Sequence, residues 1–247
     1  MARSYRTKAI VLKAHKYGEA DNILSLLSPE GGRIGAIAKG IRKTKSRFGG
    51  RLQPFSHVDL MLHPGRGLHT VTGVESIEPF EEIRADYDRL THGSAMLDLL
   101  DRVAMEGHAD ERMFGLAVAS LRALAGAREG FERILAAFEL KLMAIIGYRP
   151  YLDGCVLCGT EAEGGRGFSS RAGGVVCESC RPAEGMALPI RSGTVSYMRA
   201  LLESKMGELD DIEADPACSR ELEQVVRPFI AYHVQSRLKG REFLSRS

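Results

Sequence analysis

An α+β architecture in two domains is what this sequence predicts, and three observations carry the prediction. Five short apolar runs separated by turn signals occupy residues 1–80. After Pro79 the apolar spacing changes to the helical period. Two Cys-x-x-Cys pairs interrupt the helical part within a glycine-rich stretch at about 151–185. The expected boundaries are therefore a β-barrel over 1–80 and a helical domain over 81–247. A hydrophobic fraction of 44% and a charged fraction of 27% are those of an ordinary globular chain, long enough at 247 residues to bury a core.

The first run is Arg6–Lys13, followed by the turn region Lys16–Asp21. Ile23–Leu27 ends at Ser28-Pro-Glu-Gly-Gly32, a strong turn signal. Arg33–Ala38 alternates apolar and small residues. Val58–Leu62 and Leu68–Val74 complete the set, hinged at His63–Gly67. Five strands in eighty residues fit the OB fold, a frequent binder of single-stranded nucleic acid, and an SH3-like barrel matches the count almost as well. We assign the OB fold.

In the helical part, Tyr87, Leu90, Leu97 and Leu100 mark one apolar face, weakened by Gly93. Met113, Leu116, Ala117, Leu121 and Leu124 mark a second; Phe131, Ile134, Leu135, Phe138, Leu142, Ile145 and Ile146 mark a third, stopped by Gly147 and Pro150. Helix returns at Gly193–Lys205 and from Arg220 onward, where Pro228 is expected to kink or split it and the basic tail 237–247 to fray. These stripes read as core.

The charge is unevenly placed. Residues 1–80 hold 13 basic and 6 acidic side chains, a net +7, and the remainder nets −5. Arg33, Lys39, Arg42, Lys43, Lys45, Arg47 and Arg51 fall in one stretch free of Asp and Glu, with Phe48 its only aromatic. Without a hydrophobic period the stretch reads as an exposed, mobile loop. Its like charges repel unless a polyanion neutralises them, and nucleic-acid backbone is the commonest such partner. Phe48 is either a base-stacking platform or a buried residue.

Cys155-Val-Leu-Cys158 and Cys177-Glu-Ser-Cys180 are separated by 18 residues, the spacing of a four-cysteine zinc site. Each pair turns two sulfurs to one side, and two such knuckles complete a tetrahedron. The glycine-rich segment between them can form a joining hairpin but has too few apolar residues to fold unaided. Four thiolates leave no open coordination position, so one structural Zn²⁺ is expected. Cys218 lacks a partner at zinc spacing and reads as a buried or half-exposed thiol.

Phosphate-loop, dinucleotide, nucleophile-elbow and metalloprotease motifs are missing from the sequence. The acidic pairs Glu81-Glu82, Asp110-Glu111 and Asp210-Asp211 read as solvated helix ends, and His57, His63 and His69 as structural. No catalysis is expected. No apolar run suggests a membrane span and no export signal is evident, so a cytoplasmic location is expected.

These features together resemble the RecO family of bacterial recombination mediators. The likeness rests on Tyr5–Lys13, Tyr17-Gly-Glu-Ala-Asp21, Leu26–Arg33, Ala38–Arg42 through Ser46–Gly50 to Gln53-Pro-Phe55, and Phe138–Leu142 with Gly147-Tyr-Arg-Pro150 just before the cysteines. It spans nearly the whole chain, in the family's order of OB fold, helical domain and zinc knuckle. The resemblance implies a non-enzymatic, nucleoid-associated protein of DNA repair and recombination (the RecFOR pathway). Such a protein binds single- and double-stranded DNA, anneals strands, contacts the C-terminal tail of single-strand-binding protein, and with RecR helps load RecA. It makes the loop cations DNA-contact candidates. The alternative is an OB and zinc-ribbon module acting on RNA or in transcription.

Overall fold

The computed structural model describes residues 3–44, 46, 48–161, 166–213 and 215–244, with side chains for all of these except Arg166 and 236–244. The chain divides into two compact units, 1–131 and 132–247. The first holds the predicted barrel together with three helices that the sequence assigns to the second domain.

The barrel strands are β1 (Tyr5–Tyr17), β2 (Asp21–Ser28), β3 (Gly32–Ala38), β4 (His57–His63) and β5 (His69–Glu78). They close in the order β1-β2-β3-β5-β4, with β3 and β5 parallel and the other pairs antiparallel. This connectivity is the OB fold, a distinction that strand count alone does not make. Closure depends on β1, which is several residues longer than its apolar run suggests. Its first half pairs with β4 from Tyr5 to Ile10 and its second half with β2 from Ile10 to Tyr17. A register shift between Val11 and Lys13 bends the strand from one partner to the other. Alternate residues Ala9, Val11, Leu24, Leu26, Val58, Leu60 and Leu62 fill the interior. Ile10, Leu12 and Leu27 are equally buried, on the outside of the barrel.

Helices α1 (Glu81–Ala85), α2 (Tyr87–Val103) and α3 (Glu111–Gly126) complete this unit, and α2 packs on β1 and β2. Asp86 and Asp110 accept backbone N–H groups as N-caps of α2 and α3. Arg89 caps the far end of α3, donating to the carbonyls of Leu124 (3.2 Å) and Ala127 (2.6 Å). The buried face of α2 is Gly93, Met96, Leu97, Leu100 and Val103; Tyr87 and Leu90, expected on the same face, are exposed. Gly93 is no weakness. A Cβ there would lie 2.9 Å from the Phe55 ring and 3.1 Å from Ile83, so the missing side chain is what lets α2 approach so closely.

Unit 132–247 contains α4 (Phe131–Ile145), β6 (Arg166–Ser169), β7 (Gly174–Cys177), α5 (Arg181–Glu184), β8 (Leu188–Ile190), α6 (Ser192–Glu203), a 3₁₀ turn (Leu209–Asp211) and α7 (Pro216–Leu244). Phe138, Leu142, Met198, Leu201, Val225 and Phe229 form its core. Lys141 of α4 reaches the end of α6 and donates to the carbonyls of Leu202 (2.8 Å) and Ser204 (2.6 Å). Cys218 is buried against the close approach of Gly193. Pro228 does not split the last helix: α7 runs as one element to Leu244, where fraying is expected from sequence. The imino acid leaves the carbonyl of Gln224 without its helical donor, but buried Leu222, Val225, Val226 and Phe229 on both sides hold the helix together.

Two predictions follow from the joints of the first unit. Gly32 has φ +62°, and a Cβ there would lie 2.2 Å from the Met105 carbonyl oxygen and 2.4 Å from that of His108. Gly32→Ala should therefore destabilise the protein by about 1–3 kcal/mol in urea unfolding. Glu78, at the end of β5, accepts Arg122 of α3 at 2.6 and 2.9 Å and His57 at 2.8 Å. The Arg122 guanidinium, helped by His57 and opposed by partial burial, holds this carboxyl below its usual range. Its contribution, about 1 kcal/mol with solvent screening allowed for, is complete above the unfolded value of about 4.3 and fades as the pH falls through the folded value. Glu78→Gln should be less stable than wild type at pH 7, and the gap should close in acid.

Candidate nucleic-acid interface and metal centre

The connection between β3 and β4 carries the basic stretch, and it is more ordered than its sequence suggests. Gly40, at φ +69°, turns the chain out of β3, and its N–H donates to the Asp21 carboxylate at 2.7 Å. Arg42 N–H donates to the Ala20 carbonyl at 2.9 Å and its guanidinium to that of Gly18 at 3.2 Å. Three hydrogen bonds thus join the loop to the tip of the β1–β2 hairpin. Successive turns follow, with Lys43 N–H donating to Gly40 O, Ser46 to Lys43 and Arg51 to Phe48. Phe48 and Leu52, each 1% exposed, then return to the barrel core. The reading of a loop that buries nothing is corrected here: two isolated apolar anchors fix it, and isolated anchors leave no periodic signal.

Phe48 is buried, so the stacking alternative gives way to the core alternative. Lys39, Arg42, Lys43 and Arg51 are exposed. Lys45 and Arg47 lie outside the described residues. Arg33 stands apart: it occupies the start of β3, about 20 Å of strand from Lys39. It pairs with Glu106 at 3.0 Å and approaches Asp101 at 3.8 Å. Other cations of this unit are engaged in the same way. Arg6 meets Asp59 and Glu75, Lys13 meets Asp98 and Asp101, and Arg122 meets Glu78. Among the described residues, Lys39, Arg42 and Lys43 have no carboxylate partner. An open cleft of about 540 Å³ lies between Lys39, Gly40, Lys43 and the tip residues Glu19, Ala20 and Asp21.

Three of the barrel's histidines have side-chain partners: His57 meets Glu78 at 2.8 Å, His69 the Tyr5 hydroxyl at 3.0 Å and His63 the Ser4 hydroxyl at 3.2 Å. The acidic pairs stand at helix ends, in the first turns of α1 and the 3₁₀ turn and at the N-cap of α3.

In the second unit the four cysteines converge. The sulfurs of Cys155, Cys158, Cys177 and Cys180 lie within 4.8 Å of one another. Each pair turns locally. Cys155 N–H donates to Thr160 O and Gly159 N–H to Cys155 O, both at 2.8 Å, with Gly159 at φ +76°. Cys180 N–H donates to Cys177 O at 3.2 Å. The hairpin β6–β7 delivers Cys177 at its end, and backbone bonds from Tyr151 and Val156 to Gly173 and Val175 tie the first pair alongside it. Buried Glu184 of α5 accepts Ser169 Oγ (2.5 Å) and the Arg171 guanidinium, fastening the second pair to the hairpin turn.

The donor set fits a tetrahedral soft cation. The Cys158 and Cys177 sulfurs are 3.8 Å apart, too far for a disulfide and equal to the edge of a tetrahedron with metal–sulfur bonds of about 2.3 Å. The sulfurs differ in proton affinity. Burial would raise the Cys155 thiol, but backbone N–H groups of Cys177, Cys158 and Leu157 bring it down to about 6. Cys180, hydrogen-bonded to the neighbouring sulfurs of Cys177 and Cys158, is pushed up to about 12. Four thiolates could share this space only around a cation; without one, the cluster retains protons instead.

Comparison with known proteins agrees with both halves. The family model for the N terminal of recombination protein O matches residues 1–80, and that for its C terminal matches 84–242. A protein named DNA repair protein RecO from Nocardioides sp. is 41% identical over 249 aligned residues, covering 98% of this chain and 99% of the relative. One of the same name from Rubrobacter xylanophilus is 40% identical over 243, covering 98% and 95%. With both models matched in order around the barrel and the cysteine cluster, the chain belongs to the RecO family.

Proposed function

We propose that this protein is a DNA repair and recombination mediator that binds single- and double-stranded DNA through the β3–β4 loop of its barrel. The observation that carries this reading is the division of its cations. Arg6, Lys13, Arg33 and Arg122 are neutralised by carboxylates, whereas Lys39, Arg42 and Lys43 form no ion pair among the described residues, although Glu19 and Asp21 line the cleft beside Lys39 and Lys43. Exposed, unneutralised cations fixed on an OB barrel attract a phosphate backbone. Arg51, and from the sequence Lys45 and Arg47, join them as phosphate contacts. Family membership supports the rest of the role: annealing complementary strands, contact with the tail of single-strand-binding protein, and, with RecR, loading of RecA. It also supports action without catalysis and a cytoplasmic, nucleoid-associated location. Among the described residues, no helix is long and apolar enough to cross a membrane.

The cysteine cluster is proposed to hold one structural zinc ion through Cys155, Cys158, Cys177 and Cys180. Four sulfur ligands close the coordination sphere, so the ion would hold the glycine-rich insertion folded and present no position to substrate.

Two measurements test these readings. Binding of single-stranded DNA should weaken with salt at a log–log slope near −3.5, on the order of five phosphates neutralised. Lys43→Ala, Lys45→Ala and Arg47→Ala combined should flatten it by about 2 while leaving the melting curve unchanged; an unaltered slope would move the DNA path off this loop. Chelation should release one zinc per chain and lower the melting temperature. Because each thiol must lose its proton to bind metal, zinc affinity should fall as the pH is lowered from 8 to 6. A melting curve indifferent to chelator would remove the structural role.

A further inference from the structure

With Phe48 inside the barrel, the basic loop has no aromatic surface of its own, yet one stands beside it. Tyr17 is the last residue of β1 and is 54% exposed. Among the described residues 3–80 it is the one phenylalanine or tyrosine with a large exposed surface. Its place is fixed by the same bonds that fix the loop. Tyr17 pairs across the hairpin with Asp21, whose carboxylate holds Gly40 N–H, and the next residue, Gly18, gives its carbonyl to the Arg42 guanidinium. Lys16, Lys39, Arg42 and Lys43 are all exposed around this junction, with Glu19 and Asp21 its acidic groups.

We propose that Tyr17 is the base-stacking residue of this surface, taking one unpaired nucleobase of a single strand whose phosphates run along Lys39, Arg42 and Lys43. The inference rests on the loop's being the DNA path and adds what the cations cannot supply. Lysine and arginine attract any polyanion, but a flat ring gains only where a base face is free. In a duplex those faces are already stacked on their neighbours, so Tyr17 biases the surface toward single strands. No base-edge donors or acceptors are required, and the surface is tolerant of sequence.

The chain contains no tryptophan, which gives a direct readout. Tyr17→Trp installs a sole indole whose emission should be quenched on titration with oligothymidylate and left unquenched by inorganic polyphosphate, a polyanion without bases. Tyr17→Ala should weaken oligothymidylate binding on the order of 5- to 100-fold, with the wild-type salt slope retained and with polyphosphate and duplex affinities unchanged. Tyr17→Phe should bind like wild type, since the ring and not the hydroxyl makes the contact. An unquenched indole, or Tyr17→Ala binding oligothymidylate as tightly as wild type at the wild-type slope, would overturn the stacking role and leave the basic loop standing. If wild type shows no salt-dependent DNA binding at all, the loop reading and the stacking role fall together.

Discussion

Barrel closure through a single bent strand is the constraint on which the first half of this molecule depends. β1 serves β4 with one half and β2 with the other, and the extra residue near Leu12 lets one continuous strand do both. That bend sets which residues face inward and places the β1–β2 tip beside the exit of β3. Without it the sheet would have open edges, and Gly40 and Arg42 would not meet Asp21 and Gly18. The basic loop is therefore held by the barrel's geometry and needs little sequence of its own to be ordered.

The cations of this unit fall into two groups. Where the barrel meets its helices, cations and carboxylates neutralise each other: Lys13 and Arg33 on the acidic side of α2, Arg122 and His57 on Glu78. Such partly exposed pairs contribute little stability each and act mainly to fix geometry. At the loop the opposite holds: Lys39, Arg42 and Lys43 are exposed and form no ion pair among the described residues. A count of charges cannot distinguish these two populations, because both contribute equally to the excess of residues 1–80.

The second unit solves a different problem. Its insertion has three short strands and a four-residue helix, too little apolar material to hold itself together. Four convergent sulfurs and the buried Glu184 fasten it, and Phe168 seats the hairpin against Phe229 of α7 at a ring distance of 5.6 Å. The convergent sulfurs and the aromatic contact both belong to this one small sheet and its connections.

What the sequence determined by itself was whatever repeats or is spaced by chemistry. The apolar stripes of α3, α6 and α7 announce their buried faces, the five strands announce a barrel, and two Cys-x-x-Cys pairs announce a four-sulfur cluster, because each rests on a fixed local period or reach. Tertiary structure decided what depends on single contacts between distant residues. Gly93 reads as a helix weakness until Phe55 and Ile83 arrive against it, and Tyr87 and Leu90 share a helical spacing with buried leucines but have nothing above them. Phe48 and Leu52 carry no period, so their return to the core is invisible in one dimension. Arg33 and Lys39 are near in sequence, but an extended strand puts them at opposite ends, one neutralised and one not. Local periodicity is written in the chain; which surfaces are covered, and which charges stay uncompensated, is settled only when the far residues meet.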